Sequence, residues 1–183
     1  MFPREFFHYC PRCGAKQAAP PADNSLQCAA CGFLYFFNPA IAVAGFVSGP
    51  DGLVLFIRRA KEPAKGKLAL PGGFVDSGET AEAALRRETR EEVNLELTEL
   101  SFLCSQTNRY HYRDLTYPVL DLFFVAGAER TDSVAALDGV ASFQWMAPRS
   151  VALDEVAFPS ISKALVLLRE RRPIAPRQPR SGG

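Results

Sequence analysis

Gly73-Phe-Val-Asp-Ser-Gly-Glu79-Thr-Ala-Glu-Ala-Ala-Leu-Arg-Arg87-Glu88-Thr-Arg-Glu91-Glu92-Val-Asn-Leu95 is the stretch on which the reading of this chain turns. Thr80 can cap a helix running to about Val93, and Glu82 sits favourably in its first turn. Asn94 tolerates the left-handed backbone that ends helices. On that helix Glu88, Glu91 and Glu92 stand at i, i+3 and i+4, so their carboxylates share one face. Like charges at this spacing cost roughly 0.2–0.5 kcal/mol per pair on an exposed helix, and a helix built only for stability would interleave lysine. Hard oxygen donors brought to one point suit Mg²⁺, which binds through carboxylates, waters and substrate phosphates. The competing reading is a solvated acidic face softened by Arg86, Arg87 and Arg90.

Outward from this helix, strands are expected on both sides. Ile41 to Ser48 reads as a buried strand, Gly49-Pro50-Asp51-Gly52 as a tight turn and Leu53 to Arg58 as the partner strand. Arg58, Arg59, Lys61, Lys65 and Lys67 fill a basic loop, and Leu68 to Leu70 is a short strand stopped by Pro71-Gly72-Gly73. Beyond the helix, Leu95 to Ser105, Thr116 to Ala126 and Val140 to Met146 read as strands. Ser160 to Arg171 is an amphipathic helix with Ile161, Ala164, Leu165 and Leu168 on one stripe. From Pro173 to Gly183 the chain is rich in Pro, Arg, Ser and Gly and is expected to be a disordered tail. The expected division is 1–38, 39–172 and 173–183.

The first of these units is defined by cysteine. Cys10-Pro-Arg-Cys13 and Cys28-Ala-Ala-Cys31 are two CxxC knuckles 14 residues apart, each followed by glycine. This pattern matches a four-thiolate Zn²⁺ site, and a segment so short needs a metal to hold it together. Two disulfides are the alternative, disfavoured because no secretory signal precedes them. The fifth cysteine, Cys104, lies in an apolar stretch and reads as a small packed residue rather than a nucleophile.

The whole chain has 183 residues, 48% of them hydrophobic and 22% charged, which excludes a wholly disordered chain. Its net charge of +1 argues against reliance on non-specific attraction to nucleic acid or anionic membrane. No apolar run is long enough to span a bilayer. With no apolar leader at Met1 to Cys10, a cytoplasmic location is expected.

The acidic segment resembles the Nudix box, Gly-x5-Glu-x7-Arg-Glu-U-x-Glu-Glu-x-Gly-U with U a bulky aliphatic residue. Gly73, Glu79, Arg87, Glu88, Glu91, Glu92 and Leu95 fall on the pattern without a gap. Thr89 replaces an aliphatic residue and Asn94 the glycine; neither change removes a carboxylate. With the cysteine ribbon in front, the chain is similar to the NADH pyrophosphatase-like branch of zinc-ribbon Nudix hydrolases. The resemblance implies an α/β fold, a Nudix α/β/α sandwich with a mixed sheet, preceded by a small four-cysteine zinc ribbon. It implies hydrolysis of a nucleoside diphosphate linked to another moiety, of the ADP-ribose, FAD or NAD(H) type. By the same carry-over Glu88, Glu91 and Glu92 would ligate Mg²⁺ or Mn²⁺ with the Gly72 carbonyl. Arg87 would orient the carboxylates, and Glu79 would brace the loop–helix junction. Arg58, Arg59, Gly73 and Tyr110 are the candidate substrate contacts.

Of the family's Ser-Gln-Pro-Trp-Pro-Phe-Pro-x-Ser array, only Ser105-Gln106 and the aromatic Tyr110 remain, so no strong NADH preference is expected. A downstream glutamate used by many relatives is missing before Trp145, with Asp114, Asp121 or Asp138 as substitutes. Tyr110, Tyr112 and Tyr117 suit stacking on a base or packing as strand residues. The partner expected is a small-molecule nucleotide derivative, with no membrane, no evident nucleic acid, and a homodimer left open. The alternative function is a non-catalytic module in which the ribbon touches nucleic acid and the second unit senses a nucleotide; three mutually repelling glutamates argue against it.

Overall fold

The computed structural model describes residues 1–17, 24–49, 52–128 and 130–171. The expected tail, 173–183, and the centre of the expected turn at 50–51 lie outside the described residues.

The ribbon contains two three-residue strands, β1 (Ser25–Gln27) and β2 (Leu34–Phe36), paired antiparallel. Its two knuckles are built alike. Cys10 N–H donates to Ala15 O and Gly14 N–H to Cys10 O; Cys28 N–H donates to Phe33 O and Gly32 N–H to Cys28 O. Both glycines have φ of +72°, where a side chain would be strained. Rings of Phe7, Phe33, Tyr35 and Phe37 pack together at centroid separations of 4.9–6.4 Å.

The larger unit is a mixed sheet. Its strands are β3 (Ala40–Ser48), β4 (Val54–Arg59), β5 (Leu68–Ala69), β6 (Leu97–Tyr112), β7 (Leu115–Ala128) and β8 (Val140–Met146). The order is β5-β4-β3-β7-β6, with β8 paired to β4. Only β3 and β7 run parallel; every other pair is antiparallel. Helix α1 spans Ala81–Val93 and α2 spans Pro159–Glu170. This is the expected architecture, a mixed sheet with few helices behind a four-cysteine module.

The core forms where α1 meets β3. Leu85 is fully buried, and its methyl carbons would lie 3.2–3.3 Å from any Cβ added at Gly45, so the glycine lets helix and strand close together. Phe46, Phe56, Phe123 and Leu165 complete the centre. Thr80 caps α1, its hydroxyl accepting from Ala83 N–H at 3.1 Å, and Asn94 ends it at φ 56°, ψ 39°. Thr89 is wholly buried, and its hydroxyl donates to Leu85 O at 2.7 Å, which satisfies the polar atom that the box's aliphatic residue would not carry.

The second hairpin is longer than expected. The strands read as Leu95 to Ser105 and Thr116 to Ala126 extend to a tip at Arg113, φ +52°. Tyr110, Tyr112 and Tyr117 therefore lie on strands, with Tyr110 paired to Tyr117. At its end Thr116 N–H donates to the Met1 carbonyl, tying the hairpin to the first residue of the ribbon.

Candidate functional site

Pro71-Gly72-Gly73 crosses close alongside the middle of β3 and delivers the chain to the helix. Gly45 N–H donates to Pro71 O, and Val43 N–H to Gly73 O at 2.8 Å. Gly72 sits at φ +146°, and a Cβ there would meet the Val43 carbonyl oxygen at 2.1 Å. No other residue fits that crossing. At Gly73 a Cβ would fall 2.4 Å from the Glu88 carboxylate, so this position is left bare for a side chain of the helix.

Arg87 organises the acidic face. Its guanidinium donates to Glu79 through Nε and Nη2 at 3.0 Å each, to Glu88 at 2.8 Å, to Glu91 at 3.2 Å and to the Phe74 carbonyl at 3.2 Å. The hydrogen bond from Arg87 holds the Glu79 carboxyl below its ordinary range, and Glu79 also accepts from Asp76 N–H. This clamp joins the loop to the helix. Glu91 remains half-exposed beside Arg87.

Glu92 is different. Burial pushes its carboxyl up to about 8, with Glu88 adding repulsion and the Gly72 N–H, donated at 2.9 Å, pulling the other way. Burial also raises Glu88, against the hydrogen bond from Arg87. Two desolvated carboxylates side by side are short of positive charge. Their donors are hard oxygens, the set that a small divalent cation takes. The residues therefore fit Mg²⁺ or Mn²⁺ on donor chemistry and charge.

A cleft of about 320 Å³ opens from this face. Gly72, Gly73, Glu88, Glu92, Arg59, Asn108 and Asp121 line it, and Phe74, Tyr110 and Phe158 bring rings to its wall. Tyr110 meets Phe74 edge-on at 5.5 Å and Phe158 at 6.1 Å. Of the two candidate arginines only Arg59 lines the cleft. It lies 5.2 Å over the Phe158 ring and donates to Pro63 O. Arg58, one residue earlier on the strand, donates to Gly66 O and faces Glu155. Alternation along a strand separates neighbours in this way.

The three aspartates offered for the missing glutamate also separate. Asp114 is at the exposed hairpin tip, and Asp121 lines the cleft. Asp138 lines an acidic recess with Glu88, Glu91 and Glu92, where it pairs with Lys61 at 2.8 Å. Phe74 and Phe158 join the cleft without having been singled out as contacts from sequence. Phe158 was signalled only by its place just before Pro159 at the start of a helix.

The cysteines converge as their spacing predicts. Cys10 and Cys31 sulfurs are 3.8 Å apart, Cys13 and Cys28 3.7 Å, and all four lie within 4.8 Å. Bonds of about 2.3 Å at tetrahedral angles put sulfurs about 3.8 Å apart. The backbone N–H of Cys31 draws the Cys28 thiol down to about 6.

A family model described as NUDIX domain matches residues 38–165. The ADP-ribose pyrophosphatase of Methanocaldococcus jannaschii is 48% identical over 60 residues, covering 33% of this chain and 35% of that one. The NAD-capped RNA hydrolase NudC of Chromobacterium violaceum is 34% identical over 107 residues, 57% of this chain and 40% of that one. The chain thus spans well under half the length of these curated relatives. Among solved structures, a NUDIX hydrolase from Nitrosomonas europaea aligns over 86% of this chain and 87% of that one, at TM-score 0.64 and 21% identity. The NUDIX domain of Shewanella oneidensis NrtR complexed with ADP ribose aligns over 74% of this chain and 90% of that one, at TM-score 0.60 and 22% identity. At these identities the two structures speak for the fold.

Proposed function

The chain belongs to the Nudix family, and on that premise we propose that it is a divalent-cation-dependent pyrophosphatase. Its substrate is a nucleoside diphosphate linked to another moiety, of the ADP-ribose, FAD or NAD(H) type, and its product is a nucleoside monophosphate. The observation that carries this reading is the single cleft joining the Glu88/Glu92 pair to an aromatic wall. The carboxylate pair suits a metal-bound diphosphate and the aromatic wall a nucleoside.

In this reading Glu88, Glu91 and Glu92, with the Gly72 carbonyl, hold Mg²⁺ or Mn²⁺. When bound, the metal binds the diphosphate oxygens, lowers the pKa of a water and offsets charge at phosphorus. The chain's own residues set the geometry. Arg87 holds Glu88 and Glu91 in place, and Glu79 fixes Arg87. Arg59, steadied by Pro63 O and the Phe158 ring, turns its charge toward the diphosphate. Tyr110, at the wall, stacks on the base.

The test is release of nucleoside monophosphate from ADP-ribose, FAD, NAD⁺ and NADH, with and without Mg²⁺ or Mn²⁺. Cation-dependent release from at least one substrate is expected, without a preference for NADH over ADP-ribose of about 100-fold, which corresponds to about 2.7 kcal/mol in transition-state binding. No release from any of them with either cation would overturn the proposal.

Cys10, Cys13, Cys28 and Cys31 hold a structural Zn²⁺ in the same reading, since protein fills every position. Residues 1–38 then form the ribbon and 39–172 the catalytic unit. Elemental analysis should find about one zinc per chain, and chelation at pH 7 should expose four thiols and loosen the ribbon. Four freely titrating thiols in native, metal-free protein would overturn this assignment.

A further inference from the structure

Three polar or charged residues are buried among the described residues: Thr89, Asp121 and Ser160. Thr89 has its partner in the helix backbone. Asp121 is the only acid of the three. Among the described residues no lysine, arginine or histidine pairs with it. It lies on β7 between Val119 and Phe123, and strand alternation turns all three to the same face, where they line the cleft. Asn108 stands beside it on β6, and the buried Ser160 hydroxyl nearby makes no well-formed hydrogen bond of its own. A carboxylate held among apolar side chains without a cationic partner costs free energy in the empty cleft, and a ligand that brings a further donor to it lowers that cost.

We propose that Asp121, with Asn108, reads the nucleobase by accepting a hydrogen bond from an exocyclic amino group, adenine N6 or guanine N2. This inference rests on the function proposed above and deepens it. The surroundings favour a base over a sugar. Val119, Phe123 and Ile161 are apolar, and Phe74, Tyr110 and Phe158 supply rings, so a flat ligand with one polar edge fits. The carboxylate also sets the sign of the selection. When ionised it only accepts, so a base presenting a carbonyl at that point meets oxygen against oxygen. Burial raises the Asp121 carboxyl, with Ser160 and Asn108 pulling the other way. Asp121 thereby leaves the set of candidates for the missing glutamate.

The experiment compares ADP-ribose with its guanine and hypoxanthine counterparts. In the wild-type protein kcat/KM for the hypoxanthine compound should be at least about 10-fold below the better of the other two, and which of those is better identifies the amino group being read. Asp121→Asn keeps the shape but adds a donor: where adenine N6 is the group read, it should bring hypoxanthine, with O6 in its place, to within about 2-fold of adenine, and where guanine N2 is read it should narrow the preference for guanine. Calorimetric titration of AMP, GMP and IMP with Mg²⁺ present reads the same discrimination without turnover. Equal kcat/KM and equal binding across bases in the wild type would overturn the inference, and need no variant to fold. A loss in Asp121→Asn that is uniform across bases would also overturn it, reducing Asp121 to a brace beneath α2. Discrimination among the monophosphates with no hydrolysis of any substrate would sustain this inference while removing the pyrophosphatase reading.

Discussion

Glu92→Gln should lower turnover at saturating Mg²⁺ by about 100-fold or more, while the folded protein is kept. The substitution removes one charge from the buried pair but preserves the size of the side chain and its capacity to accept from Gly72 N–H. Metal-assisted stabilisation of the transition state contributes several kcal/mol, of which about 2.7 corresponds to 100-fold. Stability should move the opposite way in metal-free protein. The carboxyl titrates near its ordinary 4.5 when unfolded but at about 8 in the fold. Its folded form is therefore favoured while protonated, and that stability is lost as pH rises from 4.5 through 8. Wild type and Glu92→Gln should melt at similar temperatures near pH 5 and diverge by pH 8.5, the variant several degrees higher. Mg²⁺ should close that gap for the wild type alone. Near wild-type turnover, or parallel melting curves at all pH values, would show that the carboxylate is only a solvated charge.

Gly72→Ala should be the most destabilising single methyl in the larger unit. The added carbon would stand 2.1 Å from Val43 O and 2.8 Å from the Ala44 Cα, both backbone atoms of a central strand. Neither can yield without breaking the pairing of β3 with β7. A φ of +146° adds strain for any side chain. A loss on the order of 4 kcal/mol is expected, or a melting point about 10 °C lower for a chain of this size. Gly73→Ala is the contrast. There the clash is with the tip of the Glu88 side chain, which can swing aside, so folding should survive while turnover falls. A melting point for Gly72→Ala within about 2 °C of the wild type would contradict the geometry.

How much of this was legible depended on the range of the interactions. The helix was readable because its cap, its stop and its carboxylate face are all fixed within about fifteen residues. Asn94 in the left-handed region and the CxxC knuckles are local in the same sense. What sequence left open was set by pairing at a distance. Nothing near Arg58-Arg59 says which of the two faces the cleft; the register of β4 against β5 and β8 decides it. The hairpin of β6 and β7 outran its expected ends because Gln106 to Tyr112 alternate weakly in polarity and gain their strand from the partner. The same holds for Asp114, Asp121 and Asp138, indistinguishable as letters and separated only by the sheet.

The register of β6 has one more consequence. Tyr110 lines the cleft, and Thr107, Arg109 and His111 line an adjoining groove toward the ribbon, with Asn108 bordering both. Inserting or deleting one residue between Cys104, where the pairing already slips, and Asn108 would exchange the two sets wholesale. The helix that carries the carboxylates would be untouched, because it is anchored through Gly72, Gly73 and β3 instead. On the proposed function, ligand choice and bond cleavage are thus written on parts of the chain that can drift independently. A lineage built on this scaffold can change what it accepts by a single frame-preserving codon, without relearning how to cut.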